Sequence, residues 1–307
     1  MAWHELTTND VPVSALAPLV DDIREELEHG VGLLKLRGLP VERYSVDQLR
    51  TIYFGLGLAL GTPVHQNRRG EMMRLIRDEG DGVGAQYGQI AEATMGDGKP
   101  FLSSYARTLT NGALRHHTDR TDVVGLLCLG QAVSGGVSTI CSSVSVMNEM
   151  VTRRPDLAEV LFEPMYRSRH GEESDDPADV YPLPVFGVRD GKFTSHFSLT
   201  YIEAAHESGA VPALTDSQAE ALTMLLDLAG ELSFEMTLEP GDIQFLNSHE
   251  TYHGRSPFED DPVAARTRLL LRLWLSMPNS RPLPESHRIL WRNVEAGVVR
   301  GGIGQQA

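Results

Sequence analysis

One stretch, Arg268-Leu-Leu-Leu-Arg-Leu-Trp-Leu275, constrains the fold more than any other. On an extended strand, successive side chains point to opposite faces. Leu269, Leu271, Leu273 and Leu275 then share one face, which belongs against apolar packing. Arg268, Leu270, Arg272 and Trp274 share the other. Guanidinium groups inside a hydrophobic run are costly to bury unless each meets an anion. Three readings follow: salt bridges to Asp or Glu, an exposed sheet face, or an arginine that clamps a ligand carboxylate bidentately.

The rest of the chain predicts strands in its middle and end, with helices at the N-terminus and in two insertions. Val13 to Glu28 has helical spacing and stops at Gly30. Val31 to Gly38 reads as a buried strand. Ser45-Val-Asp-Gln48 and Thr215-Asp-Ser-Gln218 are capping boxes, opening helices to about Leu60 and Glu231. Asp122 to Leu129 reads as a core strand, and Val137 to Val144 alternates small polar and apolar residues. Asn148 to Phe162 has helical spacing, interrupted near Pro155; Tyr166 to Tyr201 reads mostly as strands and turns, with a hairpin at Arg189-Asp-Gly191. Gln66 to Pro100 is broken by glycines into loops around short strands, in the manner of a lid or a surface excursion; with the Glu163 to Ala178 region it is expected to build the substrate pocket. After Pro278 the tail is expected to be peripheral. No linker divides the chain, so one domain over residues 1–307 is expected, α+β around a β core.

Charge excludes some functions. Lys plus Arg number 27 against 42 for Asp plus Glu, a net −15. That argues against a nucleic-acid backbone or an anionic membrane surface as partner. Cys128 and Cys141 lack zinc-ribbon spacing and read as buried thiols in a reducing cytoplasm. No signal peptide and no run of bilayer length are visible, so a cytoplasmic location is expected.

Chemistry concentrates at His117-Thr-Asp119. Residues i and i+2 of a strand share a face, so one imidazole and one carboxylate point at one spot. Two His and one carboxylate, with the opposite positions open, suit non-haem Fe(II). The best third ligand is His253 in His253-Gly-Arg255. His116, on the same strand, is expected to face away. His249 is expected to be a surface residue or a support behind the ligands. Gln86, Tyr87, His196 and Tyr201 are pocket candidates by position only, with ordinary packing the better expectation.

Taken in order, His117-x-Asp119, Gly135-Gly-x-Ser138, Pro240-Gly-Asp242, His253-Gly-Arg255 and Arg268-x-x-x-Arg272-x-Trp274 resemble the taurine-dioxygenase-like (TauD/TfdA) family. These are Fe(II)- and 2-oxoglutarate-dependent oxygenases, near the clavaminate-synthase and γ-butyrobetaine-hydroxylase groups. The resemblance runs from about Val31 to Leu283. It implies a double-stranded β-helix (jelly-roll) core with flanking helices, and His117, Asp119 and His253 as iron ligands. It implies that Arg268 pairs with the distal carboxylate of 2-oxoglutarate and that Ser138 donates a hydrogen bond to it, ahead of Thr139. Arg272 would face the substrate or help hold the cosubstrate. The implied reaction consumes O2, releases succinate and CO2, and oxidises an unactivated C–H bond. Halogenating relatives lack the carboxylate, so Asp119 favours hydroxylation, desaturation or cyclisation.

The expected substrate is a small polar metabolite, an amino acid, betaine or related acid, and a homo-oligomer is possible. Two alternatives stand: a zinc-dependent hydrolase on the same three ligands, and a non-catalytic 2-oxoglutarate-binding barrel. An arginine–serine carboxylate anchor argues against the first, and a complete ligand set against the second.

Overall fold

A computed structural model describes residues 2–80, 89–94, 100–176 and 178–304. Two antiparallel sheets form the core, in the jelly-roll manner but without closing into a barrel. The larger runs Leu33–Leu36, Ile243–Asn247, Val123–Gly130, Leu269–Ser276; Thr62–Pro63 and Met73–Ile76 both pair with the last of these. The smaller runs Phe234–Met236, Ser138–Ser142, Thr251–Arg255, Leu114–His117.

The alternating stretch is a strand from Leu269 to Ser276, beside Val123–Gly130. Its Leu271, Leu273 and Leu275 face are fully buried. They pack with Tyr53, Phe54 and Leu60 of the Val46–Leu60 helix and with Ile23 and Leu27 of the Val13–His29 helix. Each fully buried leucine contributes about 1.5–3 kcal/mol, so this layer fixes which face of the strand looks inward. Arg268, Arg272 and Trp274 are buried on the other side, toward the smaller sheet. Both capping boxes form, Ser45 with Gln48 and Thr215 with Gln218. The Arg189–Lys192 hairpin forms around Asp190 and Gly191, both at positive φ. A second layer, on the Ser143–Arg153, Pro155–Val160 and Asp216–Glu231 helices, packs over the smaller sheet through Val146, Met150, Leu225 and Tyr252.

Three expectations change. The segment through Tyr201 ends in a helix, Leu199–Glu207, not in strands. The strand bearing His117 stops at that residue, so the same-face argument does not extend to Asp119. Thr118 turns the chain aside instead: its N–H donates to the Phe197 carbonyl (2.8 Å) and its hydroxyl accepts from Phe197 N–H (2.9 Å).

The tail after Pro278 is not peripheral. Leu283, Leu290, Trp291, Val294 and Ile303 are buried. Arg300 donates through Nε to Asp122 Oδ1 (2.8 Å) and through Nη2 to the Arg281 carbonyl (2.7 Å). His249, buried at 1% exposure, gives Asp122 a second contact (2.9 Å) and is not a surface residue. Cys128 and Cys141 are buried free thiols, both pushed up to about 11 by burial. Among the described residues no helix is long and apolar enough to cross a membrane.

Candidate metal centre and its two cavities

Strand register brings the two imidazoles together. His253 of Thr251–Arg255 lies directly opposite His117 of Leu114–His117. Their ring centroids are 4.3 Å apart. Asp119 closes the set, with Oδ1 3.7 Å from His117 Nε2 and Oδ2 3.9 Å from His253 Nε2. One ligand atom from each residue lies within 4.8 Å of the others, the only such His/Cys/Asp/Glu cluster among the described residues. His116 is outside it.

The neighbours set the protonation states. His117 Nδ1 lies 2.9 Å from the Arg115 carbonyl. A carbonyl only accepts, so Nδ1 carries the proton and Nε2 keeps its lone pair toward the cluster. Burial, with His117 beside it, pushes His253 down to about 3, so its ring is neutral. Burial alone would raise the Asp119 carboxyl. Arg272, the two imidazoles and a hydrogen bond from Trp274 Nε1 to Oδ2 (2.8 Å) outweigh that and hold it below its usual value. The neutral His253 imidazole, the His117 ring with Nε2 toward the cluster and a carboxylate held ionised are the donor set of a non-haem divalent metal.

Two cavities meet at His117 and Arg272. The first has apolar walls of Ile76, Val124, Leu126 and Leu270 and contains Ser138, His253, Arg255 and Arg268. Ser138 lines it and Thr139 does not. Arg268 is 6% exposed and its Nη1 is buried without a hydrogen-bond partner. No carboxylate among the described residues lies within ion-pair distance of it. Burial lowers its pKa to about 10. Gly136, at φ +68°, makes room for it: a Cβ there would sit 2.8 Å from Arg268 Cδ and Nε. Arg255, lowered to about 9 by burial and by Arg268, donates to the Thr110 and Gly112 carbonyls. Such a cavity, apolar along its length, with an unsatisfied guanidinium inside and two imidazoles on its wall, fits a short dicarboxylate.

The second cavity is lined by His117 and Asp119 and by Thr108, Arg120, Glu172, Tyr181, His196, Ser198, Tyr201 and Trp274. His196 and Tyr201 therefore do reach the site, against the expectation of ordinary packing. Gln86 and Tyr87 lie outside the described residues. Arg272 belongs to both cavities: its Nε donates to Gln66 Oε1 (2.7 Å), and its Nη1 lies 3.9 Å from Asp119. Gln66 and Glu172 come from the two loop regions, 66–100 and 163–178, expected to build the pocket, though neither residue is singled out by the sequence; the bond from Trp274 to Asp119 is new. Gln66 and Glu172 sit in loops without periodicity, and only their contacts mark them.

Fold and site together define a jelly-roll oxygenase of the non-haem iron type. The chain belongs to the TauD/TfdA family, described as "Taurine catabolism dioxygenase TauD, TfdA family", whose model matches residues 4–274. These enzymes depend on Fe(II) and 2-oxoglutarate and use O2. The chain is similar to "FR-33289 synthase" of Streptomyces rubellomurinus, at 31% identity over 290 residues, covering 92% of this chain and 80% of that one. It is also similar to "Taurine hydroxylase-like protein SAT17" of Stachybotrys chartarum, at 28% identity over 84% of this chain and 64% of that one. In fold it resembles asparagine oxygenase solved with Fe(II), 2S,3S-3-hydroxyasparagine and succinate (TM-score 0.64, 16% identity, 99% of this chain and 87% of that one). It also resembles the non-heme iron oxygenase OrfP with Fe, succinate and (3S)-hydroxy-L-Arg (TM-score 0.63, 17% identity, 94% and 90%).

Proposed function

We propose that this chain hydroxylates an unactivated C–H bond of a small polar metabolite, an amino acid or a related acid, with His117, Asp119 and His253 holding Fe(II). Arg268 and Ser138 bind the distal carboxylate of 2-oxoglutarate, and Arg272 keeps Asp119 ionised where the two cavities meet. With O2, the iron and the 2-oxo acid together supply the oxidising power for hydroxylation, releasing succinate and CO2. The protein's part is positional. The apolar walls around Ile76 and Leu270 exclude water from the cosubstrate chain, and Arg268 fixes its far end so that its keto end meets the metal in one pose. Trp274 and the Arg115 carbonyl orient two of the metal's ligands, a role that neighbouring hydrogen bonds play at metal sites generally.

The observation that carries this reading is Arg268, a buried guanidinium with an orphaned Nη1 and no carboxylate beside it, in the cavity whose wall includes His117 and His253. A carboxylate anchor in the cavity that also contains the two imidazoles favours a bound 2-oxo acid over a hydrolytic water. The test is succinate formation from 2-oxoglutarate under air. Purified protein should form succinate only with Fe(II), lose that activity to a chelator and regain it on adding Fe(II). His117→Ala, Asp119→Ala and His253→Ala should each lower it by about 10²-fold or more, since a removed ligand leaves an incomplete site. Zn(II) that restores turnover, or an Asp119→Ala variant that keeps it, would contradict the proposal.

A further inference from the structure

The second cavity holds a carboxylate, Glu172, with no ion-pair partner among the described residues. Glu172 lies in the turn His170–Ser174, where the N–H groups of Glu172, Glu173 and Ser174 all donate to the Arg169 carbonyl (3.1, 2.9 and 3.2 Å). Its side chain is therefore carried on a fixed loop. Oε1 accepts from the Tyr201 hydroxyl at 2.6 Å. Oε2 has no hydrogen-bond partner among the described residues, and Glu172 lines the cavity.

The cations around it are committed elsewhere. Arg120 donates through Nη1 to Glu173 (2.7 Å) and through Nη2 to the Leu290 carbonyl; its Nε, though unsatisfied, is sealed from the cavity. Glu173 also takes Arg169 (2.6 Å) and Arg292 (3.0 Å). Arg272 bonds Gln66 and faces Asp119. His196 is neutral, since burial holds it well below its ordinary value. Burial likewise raises the Glu172 carboxyl, more than Tyr201 and Arg120 lower it. A cation seated beside it would reverse that cost.

We infer that the second cavity is a substrate site for a protonated amine, with Glu172 Oε2 receiving an ammonium N–H and Tyr201 holding Glu172 in position. This rests on the oxygenase reading and adds to it the class of substrate. A carboxylate with one fixed and one unpartnered oxygen offers a charge-assisted bond to an N–H cation, about twice as strong as a neutral one. A trimethylated amine has no proton to offer it, and an anion would be repelled.

The test supplies small primary amines, namely L-amino acids, ω-amino acids and amino alcohols, each beside its N-acetyl and N-trimethyl derivative. The protein carries Fe(II) and 2-oxoglutarate. Succinate is measured under air, and binding is measured by calorimetry without O2. At least one primary amine should raise succinate about tenfold above the amine-free background, and its two derivatives should not. Glu172→Gln should raise the KM for that amine at least tenfold and weaken its calorimetric binding equally, with the KM for 2-oxoglutarate changed less than twofold. Tyr201→Phe, which keeps the charge, should raise the amine KM by a smaller factor; it stands in if Glu172→Gln fails to fold. The inference is overturned if no amine acts, if an acetylated or purely anionic compound acts better, or if neither variant changes the amine KM. Loss of amine-free succinate formation in the unaltered protein would instead overturn the oxygenase reading.

Discussion

Arg268 shows how one residue can carry a functional argument. A buried guanidinium normally ends in an ion pair, because an isolated charge out of water costs several kcal/mol. Here no described residue supplies the pair, and Arg255 beside it makes matters worse, both guanidiniums lying over the Phe258 ring at 4.8 and 5.4 Å. The site is therefore destabilised until a carboxylate enters. Arg268→Ala should raise the 2-oxoglutarate KM by about 10- to 100-fold, the 1.5–3 kcal/mol of a hydrogen bond to a charged group. Arg268→Lys should recover only part of this, since an ammonium cannot grip a carboxylate with two parallel bonds. Steady-state kinetics at varied 2-oxoglutarate decide it; an unchanged KM in the alanine variant would remove Arg268 as anchor.

At the scale of elements, the strand Leu269–Ser276 and the tail behind it contrast in how legibly they are written. The strand was readable because one physical cause, packing against two different layers, acts on every second residue. Leu271, Leu273 and Leu275 against Arg272 and Trp274 is a local pattern. The tail has no such period. Its burial depends on Arg300 reaching Asp122 far back in the sequence, and on Ile303 packing with Trp274 and Val124. Nothing around Arg300 announces that partner, so prolines, arginines and glycines there looked like surface. The metal set falls between: His117 and His253 were legible by motif, and strand register explains their meeting. The His-x-Asp spacing points to Asp119, but not through a shared strand face, since the chain turns at Thr118 before reaching it. Glu172 falls in a loop region expected to shape the pocket, but the sequence does not single it out, because a loop carboxylate acquires meaning only from the cavity it lines.

The tail's role can be measured. Asp122 accepts four hydrogen bonds, from His249, Arg300, Ser276 Oγ and the Met277 N–H. Arg300→Met would leave this buried carboxylate short of its charge partner. The expected cost is about 3–5 kcal/mol, seen as a lowered urea midpoint with an unchanged slope. A shift below about 0.5 kcal/mol, the range of ordinary surface substitutions, would mean that the tail is as peripheral as its composition suggests.

For the whole molecule, the two sheets divide the work. The smaller sheet carries the paired imidazoles and Ser138; the larger presents Arg268, Arg272 and Trp274 from the opposite side. Asp119 lies beyond the smaller sheet's strand and is met by Trp274 of the larger, so the proposed metal set spans both. The net charge of −15 is compatible with a small-molecule enzyme and leaves binding to this enclosed site rather than to the surface. The central claim is that His117, Asp119 and His253 hold one ferrous ion to which 2-oxoglutarate, anchored by Arg268, adds as a chelate. Its most direct test is an anaerobic titration of Fe(II) into the protein with 2-oxoglutarate, following the visible charge-transfer absorption that a 2-oxo acid gives when it chelates ferrous iron. The band should saturate at one iron per chain, be absent in Asp119→Ala and His253→Ala, and need far more 2-oxoglutarate in Arg268→Ala. No band in the unaltered protein, or an undiminished band without Asp119 and His253, would contradict the account.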